Sequence, residues 1–152
     1  MLAIGACAIA GLAVAGQPAN AGVQRLIRDL NTLYRAESAL HVKDCEAGGF
    51  QWIDANDAEN SIYAFVRRGH ETDPHAVVVC NFTPVERDGW LCGFPLEGHW
   101  REAINTDAGI YGGENRGNLG GVDAKARGHS GQPASARIVL PPLSTLIFVH
   151  DG

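Results

Sequence analysis

The stretch Val77–Asn118 limits what this chain can fold into more than any other. Its apolar runs are strand-sized: Val77 to Cys80 leading into Asn81 and Phe82, then Trp90-Leu91-Cys92, then His99 to Ile104. Thr83-Pro84 interrupts the first, and a glycine-rich loop closes the stretch. Short apolar runs bounded by Pro and Gly predict antiparallel β-structure.

The flanking segments extend that pattern. Phe50 to Ile53 and Ser61 to Arg67 read as two strands joined by the polar segment 54–60. In the second, Ile62, Ala64 and Val66 alternate with Tyr63, Phe65 and Arg67, so both faces are fairly apolar. Arg137 to Leu140 and Thr145 to Val149 read as final strands about the corner Pro141-Pro142. Between Thr106 and Pro133 there is much Gly and little periodicity, which predicts a long ordered loop with a turn or two. One segment differs in kind. From Asn20 to Arg35, apolar residues recur at Val23, Leu26, Ile27, Leu30, Leu33 and Tyr34, the stripe of an amphipathic helix, with Asn20 as its expected N-cap. One helix followed by seven or eight short strands predicts a mostly β protein, an antiparallel β-sandwich preceded by a single helix.

A length of 152 residues allows one domain with a real core. A net charge of −5 gives no footprint for nucleic acid or an anionic membrane. Residues 1–16 are apolar and uncharged but fall short of the ~20 residues that cross a bilayer, and they lack the basic start of an export signal. The cysteines at 7, 45, 80 and 92 form no C-x-x-C pair. The apolar settings of Cys80 and Cys92 favour free thiols acting as small hydrophobes over two disulfides.

Chemical motifs are sparse. Neither a Rossmann nor a P-loop glycine pattern occurs, His129-Ser130 lacks the spacing of a nucleophile elbow, and the six His residues make no zinc pair. No metal or cofactor is therefore expected. Asp54, Asn56 and Asp57 hint at a calcium loop, but Ala58 and Glu59 stand where it needs an oxygen ligand and a Gly, so an Asx-rich hairpin turn is expected instead. Asn81-Phe82-Thr83 fits a glycosylation sequon, discounted for its place at a strand end. Trp52, Trp90, Trp100 and Tyr111 are the residues able to form a sugar-stacking platform. Each Trp is nevertheless expected to pack in or near the core, leaving Trp90 and Trp100 as weak carbohydrate-contact candidates.

From about Asn20 onward the chain resembles the C-terminal portion of bacterial glycogen (1,4-α-glucan) branching enzymes. The resemblance rests on Gly22-Val23-Gln24-Arg25 through Leu33-Tyr34-Arg35, Phe50-Gln51-Trp52-Ile53-Asp54 and Asn56 to Ser61, and Asn81-Phe82-Thr83-Pro84-Val85. It continues through Trp100-Arg101-Glu102, Asn105-Thr106-Asp107, Tyr111-Gly112-Gly113 with Asn115, Gly117 and Asn118, and Leu140 to Leu143. The departures, Ser38 and Glu86 where the family usually has Pro, are local.

This resemblance implies that residues 20–36 match the last helix of a catalytic (β/α)8 barrel and residues 37–152 an accessory all-β domain. Residues 1–19 form an unmatched lead, read as a start placed inside a longer ancestral gene or as a sequence change upstream of it. The family transfers an α-1,4-glucan segment to a 6-hydroxyl with retention, which needs two carboxylates about 5 Å apart on barrel loops. Those loops lie upstream of the matching region, so no catalytic residue is carried over and the chain is expected to be inactive alone. A cytoplasmic location and α-glucan as the parent enzyme's partner are implied. An autonomous glucan-binding module is the alternative. If the stripe Val23, Leu26, Ile27, Leu30 and Leu33 stays uncovered, self-association through it is expected.

Overall fold

The structure is a computed structural model describing residues 18–152; the apolar lead and Cys7 lie outside the described residues. Helix α1 spans Pro18–Ala36. Eight strands follow among the described residues: β1 Phe50–Asp57, β2 Ile62–Arg67, β3 Ala76–Asn81, β4 Arg87–Phe94, β5 Gly98–Asn105, β6 Gly121–Ala124, β7 Ala134–Leu140 and β8 Ser144–His150. A six-stranded antiparallel sheet, ordered β1-β2-β3-β8-β5-β6, faces the smaller ribbon β4-β7.

The mostly β architecture agrees with the strand pattern of the sequence. Ile62, Ala64 and Val66 point inward with Val77 and Val79, and meet Cys92, Phe94, Ile138 and Leu140 of the ribbon. Trp100 lies fully buried among them, its indole N–H donating to the Leu96 carbonyl at 3.1 Å. Four local expectations change. Helix α1 starts at Pro18, a residue suited to a first helical turn because it needs no N–H bond there, so Asn20 lies inside the helix rather than at its cap. Strand β1 runs on to Asp57, with register shifts between Trp52 and Asp54 and between Asp54 and Asp57. The hairpin turn is therefore shorter than 54–60, and Asp57 closes it by accepting from both the backbone and side-chain nitrogens of Asn60. The glycine-rich loop contains β6, which pairs with β5 from Gly98↔Ala124 to Arg101↔Gly121.

The outer face of the large sheet carries α1. Leu33 is buried, and Leu26 and Leu30 half-buried, against Val78, Ile104, Ile147 and Phe65. The stripe is thus largely covered by the chain's own sheet, while Val23 and Ile27 remain 54% exposed each. Polar clasps hold the helix on one side: the Tyr111 hydroxyl donates to Asp29 at 2.9 Å, and Arg101 pairs with Glu37 at 2.8 Å. Gly22 belongs to the same contact, since a Cβ there would collide with the Tyr111 carbonyl. A helix about 10 Å wide covers less than half of six strands spaced ~4.8 Å apart. Part of the outer face is left open on the other side, toward β1 and β2.

Candidate functional site

The three tryptophans divide by depth. Trp100 is 0% exposed, with Phe94 at 4.9 Å and His150 at 5.0 Å between ring centroids, and so offers no face to a sugar. Trp90 is half-buried against the main core. Trp52 is 50% exposed on the outer face. The candidates named from sequence are therefore the packed ones, and the open indole belongs to a residue ranked behind them. The signal was present in β-strand parity: Phe50 and Trp52 share one side of β1, as Tyr63 and Phe65 share one side of β2.

Around Trp52 the outward side chains form a continuous aromatic strip. Phe50 and Trp52 meet edge to face at 5.0 Å, Trp52 and Tyr63 lie 6.2 Å apart, and Tyr63 meets Phe82 at 5.8 Å. Phe65, directly across the strand pair from Trp52, flanks the strip on the same face, its centroid 5.9 Å from Trp52. Beside it, between β2 and α1, runs a groove of about 380 Å³ lined by Leu30, Tyr34, Phe65 and Val78, with Asn31 and Arg67 on its rim. Arg67 pairs with Asp44, and Arg68 donates to the neutral Gln51 side chain.

The block Asn105–Asn118 is built differently. Asp107 accepts the backbone N–H groups of Glu114 and Arg116 at 3.2 and 3.0 Å, while Asn105 caps the Asp107 N–H at 2.9 Å. Gly113 is required there because a Cβ would run into the Asp107 backbone. Asn118 joins the layers: it donates to Glu102 at 2.8 Å and to the Val139 carbonyl at 3.1 Å, and accepts from the Val139 N–H at 2.7 Å. Burial and the neighbouring Asp29 carboxylate raise the Tyr111 hydroxyl to about 12. A cavity of about 280 Å³ lies above this loop. Its Asn and Asp side chains already serve the loop's own backbone.

Asn81 is equally engaged. Its amide donates to the Val85 and Pro141 carbonyls at 2.8 and 2.9 Å, and its carbonyl accepts from the Thr83 N–H and hydroxyl at 3.0 and 2.7 Å. A side chain 1% exposed and so bonded cannot take a glycan while the domain is folded. The described cysteines are free, and burial pushes the Cys92 thiol well above its usual range.

Acid–base chemistry finds little to use. His99 stands between Asp123 at 3.0 Å and Asp151 at 3.8 Å, but all three are substantially exposed. The Ser38 hydroxyl, bonded to the Asp73 carboxylate, holds that group below its usual range. Burial lowers the His75 imidazole, whose Nδ1 has no partner. Among the described residues no group of three or more His, Cys, Asp or Glu is placed to hold a metal ion, and no helix is long and apolar enough to cross a membrane.

An antiparallel sandwich carrying a helix on one face, with its polar motifs turned to internal bonding, defines an all-β domain. Residues 52–151 match the family described as alpha amylase, C-terminal all-beta domain, and the chain belongs to that family. It is 55% identical over 129 residues to a 1,4-alpha-glucan branching enzyme of Burkholderia cenocepacia, and 53% identical over 134 residues to one of Jannaschia sp.. Those matches take in 85% and 88% of this chain but 17% and 19% of the relatives, so the chain spans under a fifth of their length.

Proposed function

We propose that this chain supplies the C-terminal accessory domain of a 1,4-α-glucan branching enzyme and performs no glucan transfer by itself. The observation that carries the reading is the 55% identity running through 129 residues, helix and sandwich together. In such an enzyme, a segment of α-1,4-glucan moves to a 6-hydroxyl during glycogen formation in the cytoplasm. The two carboxylates of the retaining reaction would come from elsewhere in the enzyme. On this reading residues 20–36 are the last helix of the enzyme's catalytic barrel and residues 37–152 its C-terminal all-β domain.

Nothing in the domain's geometry argues for chemistry of its own. The motifs 105–118 and 81–85, which carry much of the resemblance, are engaged in holding loops and layers together. The residual surface for self-association narrows to Val23 and Ile27, since the rest of the stripe contacts the sheet. Incubating the chain with amylose and following iodine colour and α-1,6 linkage content tests the proposal. No new linkages are expected, and their appearance would overturn it.

A further inference from the structure

We infer that the strip Phe50–Trp52–Tyr63, with the groove beside Phe65, is a surface site for an α-glucan chain. This rests on the reading of the domain as part of a glucan-processing enzyme and adds a location within it.

The first argument is exposure. Trp52 has half of its surface in water although the same sheet buries Trp100 completely. A large ring left open on a rigid sheet, continuous with three further exposed rings, is an apolar patch of the kind that marks an interaction site. The second is shape. Trp52 and Tyr63 stand on adjacent paired strands, so the backbone ladder fixes their separation at 6.2 Å without help from a loop. Sugar rings pack their C–H faces on such platforms, and aromatic side chains bring area at little entropic cost.

The third argument is charge. Arg67, beside the strip, is paired with Asp44, so its charge is offset on this face. A neutral polyol suits it; a polyphosphate or an acidic polymer does not. The fourth is the polar rim. A polysaccharide needs hydroxyl partners beside the stacking rings. Asn31 lies exposed on the groove and the half-open Tyr63 brings a hydroxyl, while the Tyr34 hydroxyl already donates to Asp44 at 3.3 Å.

The test uses the 152-residue chain with glycogen in co-sedimentation and with maltoheptaose in fluorescence titration. Trp52 is the indole most open to solvent, so maltoheptaose is expected to shift and quench the emission. Trp52→Ala is expected to weaken glycogen retention by on the order of tenfold, Tyr63→Ala by less, and Trp52→Phe to recover most of the loss. Trp90→Ala serves as a comparison, and circular dichroism confirms folding of each variant. Retention of wild-type chain that is unchanged in folded Trp52→Ala would overturn the site while leaving the family reading intact. No retention of wild-type chain would also overturn the site, without bearing on the amylose assay. Concentration-dependent light scattering abolished by Trp52→Ala, with no response to maltoheptaose, would make this face a contact between protein molecules and overturn the glucan assignment.

Discussion

Trp100 and Trp52 stand in one sheet and lead opposite lives. Trp100 has the ribbon β4-β7 above it, a carbonyl for its N–H, and rings on two sides. Trp52 has only neighbours in its own plane, in tilted or edge-on contact, and water above. The same residue type therefore carries stability in one place and availability in the other. What separates them is the layer that covers each face, not their chemistry.

That contrast can be broken by substitution. Trp100→Ala empties the centre of the core and is expected to cost about 3–5 kcal/mol, seen as a large fall in the urea midpoint. Asn81→Ala removes the donor to the Val85 carbonyl and one of the two donors to the buried Pro141 carbonyl, which keeps only the Ser144 hydroxyl, and frees the turn at Thr83. A loss of roughly 2–3 kcal/mol is expected by the same measurement. Gly22→Ala forces the first turns of α1 off the Tyr111 carbonyl, with an expected cost of about 1–3 kcal/mol and increased dye binding at the uncovered sheet face. Trp52→Ala should change stability by only about 1 kcal/mol or less, because its ring closes no core. A loss comparable with that of Trp100→Ala would erase the distinction between the faces.

The smallest effect is a pH slope. The Tyr111 hydroxyl is raised from 10 to about 12 in the fold, so the folded protein holds this proton more tightly than the unfolded chain. The associated stability is present below pH ~10 and is lost as pH rises toward ~12. Thermal melts of wild type and Tyr111→Phe over that interval should converge at the alkaline end.

Much of the fold was legible in the sequence because strands buried on one face and more open on the other leave a period-two pattern. The Ile62-Ala64-Val66 and Tyr63-Phe65 sets of β2 are the clearest case. Helix α1 was legible for the matching reason, its stripe at helical spacing. Strand β6 was not, because Gly121-Val122-Asp123-Ala124 has too few side chains to show a period and is recruited by pairing with β5. The end of β1 was missed because the polar residues 54–57 read as turn, yet backbone pairing carries the strand through them. The depth of each tryptophan was hidden for another reason. It depends on which sheet face the ribbon covers, and that is decided by contacts distant in sequence, such as Trp100 against Phe94 and Phe148 against Phe94.

The bulged course of β1 has a consequence for solubility. A sheet edge beside exposed aromatic rings is the arrangement most able to template another strand and grow as a fibre. Here the register slips twice between Trp52 and Asp57, so the edge offers no long flat row of unpaired N–H and C=O groups to a second molecule. The bulges break up the border of the sheet while its aromatic face stays open.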